Sequence, residues 1–343
     1  MSVTQALFGA SFQRVQYPPA SRPFAGQLSS VYFSGQKRRI MTYNVENFYR
    51  SKVGVWQKDK ASVQALADVI LKQNADIICL QEAGDTDLMK DFNKKYLGGK
   101  YPNVYGSPVK NTRGVQNVVY LTKAGITLES IKSHLQDICP PKSTSMADLT
   151  TAIYDCGKRD ILEARFKTDT GYQFTLMNAH LKSMRGGEQQ TMAKRMNDAK
   201  VIGKIIDALI AGDPDAHIMV VGDMNTLHKT PYGKPVITEL TRTGDTDPAN
   251  DMTETILKDG KDRPTYHGGK TYGNNKLDYM FVSRAMLARV TRAYVSGKFN
   301  QAPWVTASDH LPMVTVIEEP DKKANPPASS AASGAGTRLK LTA

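Results

Sequence analysis

Apolar residues recur with two different periods along the middle of this 343-residue chain. Apolar runs typical of β-strands occupy residues 38–45, 75–82, 114–123, 160–168, 172–181, 217–225, 276–283 and 310–318. Helical spacing predicts helices over 58–73 and 192–211, and the first has an apolar face made by Val63, Leu66, Ala67, Ile70 and Leu71. Many strands with few helices favour an α/β fold in which two β-sheets pack together and helices flank them.

The two ends of the chain differ from the middle in composition. Residues 1–36 are rich in Ser, Gln, Pro and Gly, contain no acidic residue, and predict an irregular amino-terminal arm. Residues 319–343 are rich in Pro, Ala, Ser and Gly and predict a flexible tail. No linker or internal repeat interrupts the stretch between them, so one domain is expected over residues 37–318.

The chain is strongly basic, with a formal net charge of +12. The arm and the tail each carry +2, which leaves +8 for the domain between them. A surplus of this size favours polyanionic partners such as nucleic acid or an anionic membrane surface, although some basic proteins use such a charge only to stay in solution.

Three cysteines are too few to form a disulfide framework in a domain of this size. Cys79 lies in an apolar run and is expected in the core, whereas Cys139 and Cys156 bracket a loop-like segment and could pair. No apolar run approaches the length of a membrane span, and the amino terminus lacks the pattern of a secretory signal. The expectation is a soluble intracellular protein without membrane insertion.

Polar side chains stand where the apolar strands begin or end. They are Asn44, Glu82, His180, Asp223, Asn225, Asp278, Asp309 and His310. Taken singly, such residues are usually surface charges, hydrogen-bonded core groups or turn residues. These explanations do not account for eight polar residues that all lie at strand termini. Residues two apart on a strand face the same side, so Asp223 and Asn225 are expected to point together.

Six segments, in this order, resemble the endonuclease/exonuclease/phosphatase superfamily: TYNVENF, CLQE, NAHLKS, GDMNT, KLDYMFVS and SDHLP. This superfamily includes deoxyribonuclease I, abasic-site endonucleases, sphingomyelinases and inositol-polyphosphate phosphatases. One segment alone is a weak signal, but six in order across residues 37–318 are specific. The resemblance implies a four-layer α/β sandwich, two packed mixed β-sheets flanked by helices, with the site at the edge where strands end.

The resemblance also implies roles in the attack of water on a phosphodiester. Asp223 would orient or deprotonate the water, and Asn225 would hold a phosphate oxygen. His310 would stabilise the transition state or transfer a proton, with Asp278 fixing its orientation. His180 would protonate the leaving oxygen or bind phosphate.

The donor set favours a hard cation. Carboxylate and carboxamide oxygens suit Mg²⁺, with Mn²⁺ able to substitute, and no Cys or His spacing suits zinc. By the resemblance, Glu82 matches the principal Mg²⁺ ligand, Asn44 lies beside the metal and contacts substrate, and Asp309 adds a metal contact. One-metal and two-metal mechanisms both stay open.

Departures from subfamily patterns narrow the choice. Abasic-site endonucleases usually carry a tyrosine at the position of His180 and an NxNGxR-like first motif, whereas this chain has NVENFY. The sequence is therefore more similar to bacterial nucleases of the deoxyribonuclease I type. The carboxylate that partners the matching histidine in deoxyribonuclease I has no recognisable counterpart here.

Basic residues lie next to the proposed catalytic residues. Lys182 and Arg185 follow His180, and Lys276 precedes Asp278, so these three are expected to bind substrate. Further basic and aromatic residues suit a phosphate backbone with bases to stack on, although a solvated basic loop would look the same: Arg113, Arg263, Tyr266, His267, Lys270 and Tyr272.

The leading hypothesis is a Mg²⁺-dependent nuclease, monomeric, that acts on nucleic acid, with DNA favoured. The alternative is a phosphoesterase acting on lipid or inositol phosphates, although the exposed aromatic hairpin that sphingomyelinases use for membrane contact was not found in the sequence. A binding module that has lost catalysis would have to lack a key residue, and all eight are present.

Overall fold

The computed structural model describes residues 35–50, 57–108, 116–139, 159–256, 263–269 and 273–320. Its strands are β1 Lys37–Phe48, β2 Ile77–Ala83, β3 Asn103–Gly106, β4 Asn117–Thr122, β5 Ile126–Ser133, β6 Ile161–Thr168, β7 Gln173–His180, β8 Ile218–Asp223, β9 Met252–Glu254, β10 Tyr266–His267, β11 Asn274–Asn275, β12 Asp278–Ser283, β13 Val290–Val295 and β14 Met313–Glu318. Its helices are α1 Lys60–Gln73, α2 Thr86–Tyr96, α3 Leu135–Ile138, α4 Glu188–Gly212, α5 Lys234–Thr241, α6 Arg284–Leu287 and α7 Trp304–Ala307.

Two six-stranded sheets form the centre of the fold. Their strand orders are β13-β14-β1-β2-β4-β3 and β5-β6-β7-β8-β12-β9. The pairs β1–β2 and β7–β8 are parallel, whereas the other pairs in both sheets are antiparallel. The predicted fold of two packed mixed sheets flanked by helices is confirmed.

The strands β7, β8 and β12 of the second sheet are buried on both faces, which explains their nearly continuous apolar runs. Leu176, Val221 and Met280 belong to the core shared with the first sheet. The neighbouring residues Met177 and Val220 face the other side, where they form a second apolar cluster with α4 and α5. Because successive strand residues point to opposite faces, both faces of such a strand require apolar side chains.

A few buried polar side chains join the two sheets. Gln81 Nε2 on β2 donates to Asn178 Oδ1 on β7 at 2.7 Å, and Asn178 Nδ2 donates to the Leu80 carbonyl oxygen at 3.1 Å. The Tyr120 hydroxyl donates to the Leu162 carbonyl oxygen at 2.6 Å. A buried hydrogen bond restricts geometry more than apolar contact does, so these bonds help fix the position of one sheet on the other.

Local signals set the helix boundaries. Helix α1 begins at Lys60, two residues after the predicted start, because the Asp59 side chain caps it by accepting from Ser62 N at 2.7 Å. The predicted apolar face is buried except for Leu71, which is partly buried. Helix α4 starts four residues before the predicted position and ends at Gly212.

The remaining predictions on cysteines and ends have mixed outcomes. Cys79 is a free, buried thiol in the core, as predicted. Cys139 is disulfide-bonded, and Cys156 lies outside the described residues. The arm up to residue 34 and the tail from residue 321 also lie outside them. No helix in the described ranges is long and apolar enough to cross a membrane.

His134 makes part of the stability depend on pH. Its Nδ1 lies 2.9 Å from Asp137 Oδ2 and its Nε2 lies 2.8 Å from Glu163 Oε2. Burial by itself would lower the pKa of His134, but the two carboxylates outweigh burial and raise it. The resulting stabilisation is complete below about pH 6.5, the pKa of an unfolded histidine, and is lost as pH rises through the raised folded pKa.

We therefore expect His134→Gln to lower the melting temperature more near pH 6 than near pH 9, as calorimetry at the two pH values would measure. An equal loss at both would show that the neutral ring already provides the stabilisation.

Candidate active site

Strand register brings three of the predicted residues to one level of the second sheet. His180 at the end of β7 pairs with Asp223 at the end of parallel strand β8. Asp278 at the start of β12 pairs with Asp223 from the antiparallel side. The two strands that flank β8 therefore place a histidine and a second aspartate beside the Asp223 carboxylate.

Gly222 permits the close approach of β7 and β8 at this edge. Its φ is +139°, and a Cβ at this position would lie 1.9 Å from the Ala179 carbonyl oxygen. Any side chain at position 222 would therefore push apart the strands that carry His180 and Asp223.

Irregular backbone in the first sheet turns further polar side chains toward the same edge. The β1–β2 ladder shifts register between Asn44 and Phe48, and the β2–β4 ladder shifts between Leu80 and Ala83. Glu46 and Glu82 have φ values of +46° and +56°. Left-handed backbone at non-glycine residues and bulges that re-aim side chains are both typical of functional sites.

Asp223 is the buried centre of the cluster, with 2% of its surface exposed. Its Oδ2 accepts a hydrogen bond from Asn44 Nδ2 at 2.9 Å, and its Oδ1 accepts one from Asn225 N at 2.9 Å. Burial raises the pKa of Asp223 to about 7, and the charge of Asp278 adds to the rise while His310 opposes it. A carboxylate with this pKa can take up a proton near neutral pH.

Asn225 lies beside Asp223 for a different reason than predicted. Strand β8 ends at Asp223, so strand alternation does not place Asn225. Instead, its own N–H bonds the Asp223 side chain two residues back, and its backbone is left-handed, with φ +47°. The Asn225 amide donates to the Leu181 carbonyl oxygen at 3.2 Å.

His310 and Asp278 form the paired arrangement that the sequence predicts. His310 Nδ1 lies 2.7 Å from Asp278 Oδ2, and both side chains are buried. His310 Nε2 points toward Asp223, 3.8 Å from Oδ2. Burial would lower the pKa of His310, but Asp278 chiefly, with Asp223 and Asp309, raises it to about 10, so the ring is an imidazolium at neutral pH.

His180 is neutral at the same pH. Burial first, and then the positive charge of Arg159, lower its pKa well below the usual value. Its Nε2 lies 3.4 Å from Asp223 Oδ2 and 3.8 Å from Glu82 Oε1, whereas its buried Nδ1 has no hydrogen-bond partner. The carboxylates nearest to His180 are therefore members of the site itself.

An excess of carboxylates at the rim fits a divalent cation. Glu82, Glu46 and Asp309 lie close enough that the pKa of Asp309, raised to about 6 first by partial burial, is raised further by the other two. Lys58 Nζ, 3.2 Å from Glu46 Oε2, offsets part of this charge. In the described ranges no three His, Cys, Asp or Glu side chains have metal-ligand spacing. One or two carboxylates plus water, as Mg²⁺ prefers, is the arrangement that fits.

Glu82 and Asn44 are held in defined orientations. Glu82 Oε2 accepts from Asn47 N and from Gln116 Nε2, both at 2.9 Å, which leaves Oε1 on the side of His180. Asn44 Oδ1 accepts from Glu46 N at 3.0 Å, so its amide nitrogen faces Asp223. As oriented, Asn44 donates a hydrogen bond within the site, and its role as a metal or substrate ligand stays a prediction.

Sequence reasoning missed Arg159 and Gln116. Arg159 Nε donates to Gln116 Oε1 at 3.1 Å, and its charge acts on Glu82 and Asp223. Gln116 therefore links a guanidinium to the Glu82 carboxylate, since its amide oxygen accepts from Arg159 and its amide nitrogen donates to Glu82. Glu46 was missed as well, although it lies in the NVENF segment.

The three predicted substrate-binding cations have different surroundings. Lys182 is partly buried, and burial and the charge of Arg159 lower its pKa. Arg185 is exposed on the loop that follows. Lys276 is buried in an ion pair with Glu254, so its charge is already compensated within the protein. Arg113, Lys270 and Tyr272 lie outside the described residues.

A cavity also lies away from the proposed site. A cavity of about 860 Å³ opens at the other end of β7 and β8, lined by Tyr172, Gln173 and His217 among others. Its lining residues on these strands lie five or more residues from His180 and Asp223. We assign the site by its chemistry, because the clustered His180, Asp223 and His310 do not line this cavity.

Comparison with known proteins agrees with this fold. The family model described as the endonuclease/exonuclease/phosphatase family matches residues 43–311, whereas no curated protein matches the sequence. Similar solved structures include the endonuclease/exonuclease/phosphatase from Bacteroides vulgatus, 17% identical over 82% of this chain and 99% of that one, with a TM-score of 0.58.

Two further structures share the fold. The AP endonuclease from Leishmania major is 15% identical over 83% of this chain and 88% of that one, with a TM-score of 0.59. TDP2 from D. rerio, complexed with single strand DNA product, is 17% identical over 82% and 99%, with a TM-score of 0.55. Since the family model spans more than half of the sequence, the chain belongs to the endonuclease/exonuclease/phosphatase family, whose members hydrolyse phosphoester bonds.

Proposed function

We propose that this protein is a Mg²⁺-dependent nuclease that hydrolyses phosphodiester bonds of nucleic acid, with DNA as the favoured polymer. The observation that carries the proposal is the convergence of Asp223, His180, His310 and Glu82 at one place, where the pKa of His310 is raised and that of His180 is lowered. This arrangement supplies a base and a positive charge within 4 Å of one another.

Asp223 is the proposed general base. Its pKa of about 7 allows it to take a proton from the attacking water near neutral pH. Asn44 and Asn225 N each donate a hydrogen bond to it and fix its orientation. The amide of Asn225, at the mouth of the same turn, is the proposed contact to a phosphate oxygen.

His310 and His180 have different proposed roles, because the first ring is charged and the second is neutral at pH 7. The His310 imidazolium would stabilise the negative charge that builds on the phosphate in the transition state. His180, neutral at pH 7, would donate a hydrogen bond to a phosphate oxygen, which favours this role over that of the acid for the leaving group. Arg159 and Lys182 add positive charge on the same side.

Glu82 is the proposed principal metal ligand, with Glu46 and Asp309 as the next candidates. The hydrogen bonds that Glu82 Oε2 accepts would keep Oε1 turned toward the cation. When bound there, Mg²⁺ or Mn²⁺ would neutralise charge on the phosphodiester.

Two observations favour nucleic acid over lipid or inositol phosphates. The domain carries a surplus of +8, as a polyanionic substrate requires. The relatives of the same fold include an AP endonuclease and a TDP2 complexed with single strand DNA product.

Salt and length dependence test this choice. Cleavage of oligonucleotides should fall by orders of magnitude as salt rises, because several phosphate contacts release counterions, and should improve with oligonucleotide length. The double variant Lys182→Glu, Arg185→Glu should weaken binding alike for all sequences, since backbone contacts carry no base code.

The matched control is Lys200→Glu with Lys204→Glu, two exposed lysines on α4, which lie about 18 Å or more along the helix from its start. This control should behave as the wild type does. Faster turnover of soluble inositol phosphates, with no effect of oligonucleotide length, would exclude the nuclease and favour the alternative.

A further inference from the structure

The short hairpin formed by β10 and β11 lies directly against the catalytic segment Ser308–Leu311. His267 N donates to the Asp309 carbonyl oxygen at 2.8 Å, and Leu311 N donates to the Thr265 carbonyl oxygen at 2.7 Å. Tyr266 pairs with His310, and their rings lie 5.0 Å apart. The hairpin is thus fixed beside the reacting centre by backbone hydrogen bonds.

His267 holds an exposed aromatic ring in a defined orientation at this place. Its ring stacks on Phe299, with centroids 5.4 Å apart and planes inclined by 28°. Its Nδ1 lies 2.6 Å from Asn274 Oδ1. Since one face packs on Phe299 and one edge is held by Asn274, the opposite face of this exposed residue is turned to solvent.

We propose that His267, backed by Phe299, is a stacking platform for an unpaired base of the nucleotide next to the scissile phosphate. This proposal rests on the nuclease function proposed above and specifies its substrate as a single-stranded segment. A ring that is already immobilised loses little conformational freedom when a base stacks on it, and every base offers a flat face. Bases inside a duplex already cover both faces and cannot stack here.

Tyr266 does not offer the same surface, because its ring packs on His310 and is only partly exposed. His267 is therefore the described aromatic residue of the hairpin that combines exposure with a fixed plane. The hydrogen bond from His267 N to the Asp309 carbonyl oxygen holds this residue against the catalytic segment, so a base stacked on its ring would belong to a nucleotide near the scissile phosphate.

Enzyme kinetics on two substrates test the platform. With a single-stranded oligonucleotide, His267→Ala should raise KM about 5- to 100-fold, the range that loss of one base–aromatic stack produces. His267→Phe should restore most of the affinity, because it keeps a ring. The same oligonucleotide with an abasic residue in place of the nucleotide next to the scissile phosphate has no ring to stack, so its KM should be the same in all three proteins.

The matched control is His217→Ala, which removes a partly buried histidine packed on Tyr172, at the opposite end of the sheet. It should leave both substrates unaffected. A spectroscopic measurement complements the kinetics: 2-aminopurine placed singly along the oligonucleotide should be quenched at one position beside the scissile bond, and His267→Ala should abolish the quenching while His267→Phe retains it.

Three outcomes would contradict the stacking role of His267 without contradicting the proposed nuclease function. They are an unchanged KM in His267→Ala, an equal loss on the oligonucleotides with and without that base, and an equal loss on duplex and single strand. The wild-type protein could instead hydrolyse bis(4-nitrophenyl) phosphate, yet cleave no oligonucleotide and quench no 2-aminopurine fluorescence. That result would contradict both the stacking role of His267 and the proposed nuclease function.

Discussion

Glu82→Gln is expected to reduce the turnover of a phosphodiester by about 1000-fold or more, a loss of about 4 kcal/mol in transition-state stabilisation. The substitution keeps the shape of the side chain and the hydrogen bond from Asn47 N, but it removes the charge that a divalent cation needs at Oε1. The fold should persist, because Glu82 lies at the site rim and not in the apolar core.

Metal binding separates this effect from a general loss of structure. Titration with Mn²⁺, followed by electron paramagnetic resonance, should show a weaker dissociation constant for Glu82→Gln and an unchanged one for Glu129→Gln. Glu129 is an exposed glutamate on β5 that pairs with Arg165. Full activity of the wild type in excess chelator would contradict the metal hypothesis whatever the variants do.

The sequence predicts the two sheets because their strands are buried in a regular way. Strands β7, β8 and β12 read as plain apolar runs, since each is covered on both faces. Edge strands such as β5, ITLESIKS, mix exposed and half-buried residues and give no clear run. Helix α2 was missed although Asp85 caps it, because its apolar face consists of only Leu88, Met89 and Phe92.

The site residues at strand ends were predictable, whereas those that reach the site from irregular backbone were not. Asp223, His180 and Asp278 occupy the last or first position of a strand, so a polar residue there interrupts an apolar pattern. Gln116 and Arg159 lie just outside strands, where polar residues are ordinary, and only the fold brings them to Glu82.

Lys276 illustrates the opposite case. Its place two residues before Asp278 suggests a substrate contact, but its partner Glu254 comes from β9, the neighbour of β12 in the sheet. Proximity along the chain does not reveal a cross-strand ion pair, because the partner is set by sheet order. Charge next to a catalytic residue is therefore weaker evidence for substrate binding than charge that the fold leaves exposed, as at Arg185.

Asp223 and His310 show how one buried cluster supports opposite protonation states. Burial destabilises any charge, so it raises the pKa of the Asp223 carboxyl and would lower that of the His310 ring. Asp278 reverses the second effect through its 2.7 Å hydrogen bond and its charge. The same aspartate adds to the rise at Asp223, so one carboxylate adjusts both the proposed base and the proposed electrostatic stabiliser.

His310→Ala is therefore expected to lower kcat by about 100- to 10,000-fold, and Asp278→Asn by less, because the ring remains in place without its partner. If Asp278 acts only through His310, the double variant should be no slower than His310→Ala, so the losses should be sub-additive. In the wild type the imidazolium is lost only as pH rises through about 10. Asp278→Asn should move that loss to lower pH.

Asp207→Asn provides the matched control, because it removes the α4 carboxylate that pairs with Arg242, the residue that follows α5, away from the strand ends. It should leave kcat and its pH profile unchanged. Fully additive losses for Asp278→Asn and His310→Ala would mean that the two residues act separately. Asp278 would then affect the reaction through Asp223, its partner across β8 and β12, and the alkaline limb of the Asp278→Asn profile would stay where it is in the wild type.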